Sequence, residues 1–394
     1  MAGPIRFPLV DSLRAIGALA VLGTHAGAFA GLYAGDNTLG PYVTRLDAGV
    51  TVFFLVSGFL LYRPFVQARV EQLDRPRSAA YAWRRFLRIA PAYWVALTFC
   101  AIAFSLPGVF TADGIPTFYL FGQGYRTETI GQGLGQAWSL TVEVAFYAFL
   151  PLFAWVLSRI SGADRRARLR TEFWALAVLV VASLAYKVVL MGGLGTHVIR
   201  VDAQLIALPA YLDQFALGML LAVVTVALKE GARLPAPLAY VAARPWVPWL
   251  TAVAAFVAVA QVGDATFYAP ITANDYLVRH LLYAVIGFGL LLPAVIGQES
   301  GGLIRRFMAT RVMVYMGLVS YGVFLWNLQV LGKLSGRGAG DWLPIGTYWS
   351  LLVVGLAATT IVATGSWYLI EKPALSLKGR VPRRRREVSV ERAA

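Results

Sequence analysis

Arg14 and His25 sit in the first apolar segment of the chain, which runs from Leu9 to beyond His25. Eleven residues separate them, about three helical turns, so both side chains fall on one helix face roughly 16 Å apart along the axis. Asp11 lies one turn before Arg14, near the same face. Ionisable side chains at membrane depth are costly and mark functional sites. A guanidinium at one end of such a face can hold an anion. A neutral imidazole at the other end can take a proton as general base.

Three further groups of residues carry chemistry. The run Trp138-Ser-Leu-Thr-Val-Glu143-Val-Ala-Phe-Tyr147 opens the fourth apolar segment. Its Glu143 matches His25 in expected depth. A buried carboxylate can orient an imidazole as in a catalytic triad, or form a structural ion pair with Arg14. The run Trp83-Arg84-Arg85-Phe-Leu-Arg88-Ile-Ala-Pro-Ala-Tyr93 places three guanidinium groups at the mouth of the third segment. Arg84, Arg85 and Arg88 suit bidentate phosphate binding, or add to the positive charge of the inner membrane face. Ser57 and Gly58, in Val52-Phe-Phe-Leu-Val-Ser-Gly-Phe59, fit close helix packing, with Ser57 as a nucleophile the weaker alternative.

Composition says what must position these groups. Of 394 residues, 58% are hydrophobic and only 14% are charged. Mean hydropathy is +0.65. Soluble domains carry about 25% charge, so the expected fold class is all-α, a polytopic membrane protein. The net charge of +15 does not point to nucleic acid, because the basic residues sit where membrane topology puts them. Cys100 is the single cysteine, which excludes an intrachain disulfide and a thiolate metal site. The three histidines show no metal-ligand spacing, so no metal is expected. The N-terminal apolar run leads straight into the polar face described above, unlike a cleavable signal.

Ten spanning segments are expected, over 9–31, 47–65, 88–106, 137–157, 173–191, 206–228, 246–263, 277–297, 313–332 and 347–369. With the N-terminus in the cytoplasm, the inner segments hold 27 of the 35 Lys and Arg residues and the outer loops hold six. This bias predicts that both termini are cytoplasmic. Trp138, Trp342 and Trp349 mark the expected outer boundary and Trp83 and Trp367 the inner one. The Gly- and aromatic-rich loop 107–136 is long enough to cover a site. Residues 1–373 are expected to form one transmembrane domain, and 374–394 a basic, disordered cytoplasmic tail. Lys187 is expected to snorkel outward, and Asp213 to pair with a neighbour. His197 and His280 are expected in or beside outer loops.

These motifs resemble the acyltransferase-3 family of integral membrane O-acyltransferases. The resemblance rests on Asp11-x-x-Arg14 with His25, on Phe53-Phe-Leu-Val-Ser-Gly-Phe59, and on Arg84-Arg-Phe-x-Arg88-Ile-x-Pro91-x-Tyr93. Trp138-Ser-Leu-x-x-Glu143-x-x-Phe-Tyr147, Ser320-Tyr-Gly-Val-Phe-Leu-Trp326 and Glu371-Lys-Pro373 follow in the family's order. Two positions depart from it. Asn327 stands where the family often has His, and Thr51 where it often has Asp.

The resemblance implies transfer of an acyl group, usually acetyl, from cytoplasmic acyl-CoA to an extracytoplasmic hydroxyl. Its implied acceptor is a cell-envelope glycan, lipid-linked sugar, peptidoglycan or glycosylated small molecule. Arg14, Arg84, Arg85 and Arg88 would meet the CoA phosphates. His25 would act as base or carry the acyl group, with Glu143 and Asp11 as its catalytic companions. Ser57, Tyr147, Tyr321 and Asn327 would support the substrate or the tetrahedral oxyanion. The implied location is the plasma membrane, with acyl-CoA as donor co-substrate and no bound cofactor. The rival reading is an exporter of a small acylated compound. That would favour inverted repeats and helices broken at the membrane midplane, neither of which is visible here.

Overall fold

A computed structural model describes residues 7–33, 37–160, 162, 164–263, 270–296 and 302–380. The chain forms α1 Pro8–Phe29, α2 Gly49–Val70, α3 Ser78–Ala103, α4 Trp138–Ile160, α5 Arg165–Leu190, α6 Leu208–Lys229, α7 Trp246–Val259, α8 Ala273–Val295, α9 Arg311–Ser335 and α10 Thr347–Ser366. Among the described residues, nine helices are long and apolar enough to cross a membrane. Among the described residues, extended structure is limited to a two-residue pairing, Val198 opposite Thr272 and Ile199 opposite Ile271. The fold is therefore that of a polytopic helical membrane protein.

The seventh expected segment differs from the other nine. It is the 14-residue apolar helix Trp246–Val259. At 1.5 Å per residue it reaches about 21 Å, less than the roughly 30 Å apolar core of a bilayer. The expected tail boundary at 374 also falls inside helical structure. Short helical turns cover Lys372–Ser376 and Leu377–Gly379, and the Trp83 indole donates to Leu377 O at 3.1 Å. The arginine run 383–386 lies outside the described residues.

Side-chain caps start several helices by satisfying free N–H groups of the first turn. Asp164 accepts from Ala167 N at 2.6 Å to open α5. Thr272 accepts from Asp275 N at 3.1 Å to open α8.

Small residues let the helices approach closely where the polar groups must converge. On α2, a Cβ at Gly58 would stand 2.3 Å from Phe215 O of α6. From the other side, a Cβ at Gly218 would stand 2.0 Å from Leu55 O. Only glycine fits this crossing. Phe215 then stacks on Phe146 of α4, with centroids 3.9 Å apart. Likewise α1 lies against α9, where a Cβ at Gly317 would stand 2.1 Å from Asp11 O. The α1–α9 and α2–α6 pairs form the centre of the bundle. Helices α4 and α5 are more exposed, with Leu152, Trp155, Trp174 and Val178 facing outward. That pattern suits lipid contact.

Loop 107–136 is folded onto the bundle rather than free. Tyr93 OH donates to Phe118 O and Trp94 Nε1 to Tyr119 O, both at 2.8 Å.

Candidate active site

Two cavities divide the functional side chains. The first, about 110 Å³, is lined by Arg14 of α1, Ser57 of α2, Arg85 and Arg88 of α3, Glu143 and Tyr147 of α4, and Tyr321 of α9. Phe53, Phe54 and Phe324 supply apolar wall. Glu143 Oε1 accepts from Ser57 Oγ at 2.6 Å and from Tyr147 OH at 2.7 Å. Arg85 lies 5.9 Å over the Tyr147 ring. Arg88 lies 6.0 Å over the Tyr321 ring and 3.7 Å from Glu371 Oε2. Three guanidinium groups around a narrow, half-apolar cleft make an anion-binding site with room for a thin chain.

The second cavity, about 480 Å³, is lined by His25, Thr24, Tyr33, Asp47, Gln136 and Trp138, among others. Loop residues Gly131 and Gly135 form part of its wall, so loop 107–136 does cover this cavity in part. Val50 and Phe324 line both cavities and form the apolar partition between them.

His25 Nδ1 is hydrogen-bonded to Asn327 Oδ1 of α9. The Asn327 amide nitrogen is itself committed, donating to Val323 O at 3.0 Å and Phe324 O at 2.7 Å. Its oxygen must therefore be the atom facing the imidazole, and His25 Nδ1 must carry the proton. Nε2 is then the basic nitrogen, and it has no partner among the described residues. This is the tautomer a general base needs, selected by a neutral amide instead of a carboxylate.

The rest of the second cavity is polar along one side. Tyr33 OH donates to Thr24 O at 2.6 Å. Burial pushes the Tyr33 phenol up to about 12 despite its bond to Thr24, so it stays protonated at neutral pH. Gln136 Nε2 donates to Leu325 O at 2.7 Å, tying the start of α4 to α9.

Among the described residues, His25 and Glu143 are not paired. They line different cavities, and the orienting position expected for Glu143 is filled by Asn327, which is fully buried. Asp11 and Arg84 are exposed and line neither cavity, whereas Arg14, Arg85 and Arg88 converge. The four residues expected to support the substrate or the oxyanion have their donors committed elsewhere: Ser57 and Tyr147 to Glu143, Tyr321 to Ile89 O at 2.9 Å, and Asn327 to carbonyls. Gly58 makes the close helix contact, while Ser57 beside it faces the cavity.

Lys187 does not snorkel. It is fully buried and donates to Asp213 Oδ2 at 3.0 Å and Ala210 O at 2.8 Å. His280, expected near a loop, lies buried within α8 with Nε2 2.8 Å from the same Asp213 oxygen. The sequence marked all three as ionisable groups but did not show the pairing of α5, α6 and α8.

Comparison with known proteins shows the family. The profile of a family described as an acyltransferase domain matches residues 8–368. Nodulation protein 10 of Rhizobium leguminosarum bv. viciae is 26% identical, over 96% of this chain and 96% of that protein. Acyltransferase MdmB of Streptomyces mycarofaciens is 26% identical, over 95% of this chain and 93% of that protein. A Staphylococcus aureus (strain COL) protein carrying an O-acetyltransferase name is 21% identical, over 93% of this chain and 57% of its own length. No solved structure matches the chain. With a family match over nearly its whole length, the chain belongs to the acyltransferase-3 family and is a membrane transferase acting on acyl groups.

Proposed function

We propose that the protein is an O-acyltransferase of the plasma membrane, with both termini in the cytoplasm. It takes an acyl group, acetyl in the first instance, from cytoplasmic acyl-CoA. The acceptor is a hydroxyl of an extracytoplasmic or membrane-associated glycan, glycolipid or glycosylated small molecule. The observation that carries this reading is the His25–Asn327 pair. It leaves Nε2 basic and open toward a cavity of about 480 Å³ that abuts an arginine-lined cleft.

In this reading the CoA diphosphate rests among Arg14, Arg85 and Arg88, and the pantetheine arm extends along α1. Arg14 and His25 are about 16 Å apart, a span comparable to that arm. The thioester passes the Val50–Phe324 partition and meets the acceptor beside His25. As the acceptor oxygen attacks the carbonyl carbon, His25 Nε2 takes its proton. A new C–O bond forms, the C–S bond breaks, and the imidazolium returns the proton to the CoA sulfur. The products are an ester and free CoA. Glu143 balances the arginine charge and fixes Ser57 and Tyr147 in the donor cleft.

The test is purified protein in liposomes with labelled acetyl-CoA and pooled envelope glycans and lipids. His25-dependent CoA release with label in the acceptor pool supports the reading. Acetyl-CoA binding without CoA release would favour an exporter.

A further inference from the structure

The arginine cleft of about 110 Å³ admits a thin chain but not the nucleotide end of CoA. A larger recess of about 280 Å³ lies along three of its segments. Three of the five elements that line the cleft, α2, α3 with the connection before it, and α4, also line this recess further on. On α2, Ser57 and Leu61 line the cleft, and Phe65 and Arg69 line the recess. On α4, Glu143 and Tyr147 are followed by Pro151 and Trp155; Arg85 and Arg88 of α3 are preceded by Arg75 and Arg77. From Ser57 to Phe65 is eight residues, about 12 Å along the helix.

The recess has the chemistry of a phosphate site beside an aromatic surface. Arg69 is held against buried Glu172 and Tyr62, yet its Nε and Nη1 atoms are buried with no hydrogen-bond partner. Arg75 and Arg77 flank it from the exposed connection between α2 and α3. Tyr81 stands beside the recess, edge-on to Phe65 with centroids 5.5 Å apart, and its buried hydroxyl also lacks a partner.

We infer that this recess binds the 3′-phosphoadenosine end of the acyl-CoA donor, with Arg69, Arg75 and Arg77 pairing the 3′-phosphate. The inference rests on the acyl-CoA reading above. A phosphomonoester carries close to two negative charges at neutral pH and three acceptor oxygens, which suits a cluster of guanidinium groups. With the diphosphate at Arg14, Arg85 and Arg88, the adenosine end falls back into the recess while the thioester points toward His25.

The test compares binding of acetyl-CoA and acetyl-3′-dephospho-CoA to the full chain in nanodiscs of phosphatidylcholine, with and without phosphatidylglycerol. The proteins are wild type, Arg75→Ala/Arg77→Ala and Arg75→Lys/Arg77→Lys. Arg69 is left in place because it neutralises Glu172. Wild type is expected to prefer acetyl-CoA by about tenfold or more, the scale of one or two charge-assisted hydrogen bonds. The alanine pair should erase that preference and the lysine pair should keep part of it, in both lipid compositions.

Equal wild-type affinity for the two donors, or full preference retained in the alanine pair, overturns the inference and leaves the donor reading standing. An arginine dependence seen only with phosphatidylglycerol, and equal for both donors, overturns it in favour of a lipid-headgroup site. Failure of wild type to bind either donor overturns the acyl-CoA reading itself.

Discussion

Asn327 of α9 holds His25 of α1 by a single hydrogen bond from Nδ1, and the two N–H bonds that Asn327 donates to its own helix decide which ring nitrogen stays basic. Replacing Asn327 by Leu removes the orienting acceptor and fills the space with apolar atoms. The imidazole is then free to rotate and to take the other tautomer. The expected result is a fall in kcat of about 100-fold, the scale of misplaced general-base catalysis. The KM for acetyl-CoA should stay within about twofold. Steady-state kinetics of the purified variant check both values.

Val50 and Phe324 line both the arginine cleft and the His25 cavity. Phe324 is also packed edge-on against Phe53, with centroids 6.0 Å apart. A larger side chain at the partition, Val50→Trp, should stop the thioester from passing while leaving the arginines untouched. Acetyl-CoA binding measured by calorimetry should change little, while transfer falls about tenfold or more. Parallel losses of binding and transfer would place the obstruction elsewhere.

Glu143 accepts from Ser57 and Tyr147 in the arginine cleft, not from His25. Glu143→Gln keeps the side-chain shape and removes the charge that faces three arginines. Its effect should appear mainly as an altered KM for acetyl-CoA. The acidic limb of the kcat/KM profile, set by the base itself, should stay in place. A shifted limb would mean that Glu143 acts on His25 directly.

Lys187 and Asp213 form a buried ion pair shared with His280. Removing one partner strands the other charge in an apolar interior. Asp213→Ala should cost about 3–5 kcal/mol of stability. The double replacement Lys187→Met/Asp213→Leu should recover most of that loss. Thermal unfolding of the two variants in detergent reads the difference.

The helical class and the location of nine long helices were legible because membrane helices announce themselves by length and hydropathy. The short α7 was not, since an apolar run does not show where its helix stops. Arg14, His25 and Glu143 stood out as ionisable groups at membrane depth. Their partners did not, because depth along separate helices is known from sequence only to several residues. A carboxylate looked the natural companion for His25, and Asn327 was visible only as a departure from the family pattern. What joins α1 to α9 is a glycine contact, Gly317 against Asp11 O, that sequence spacing does not reveal.

The most direct test of the central claim is acetyl-CoA turnover by wild type and His25→Ala in liposomes, after both are shown to insert and to bind acetyl-CoA equally. The account predicts CoA release with labelled acceptor for wild type. It predicts loss of both for His25→Ala, by at least about 100-fold. Full transfer by His25→Ala would contradict the account, because His25 is the base to which it assigns the acceptor proton.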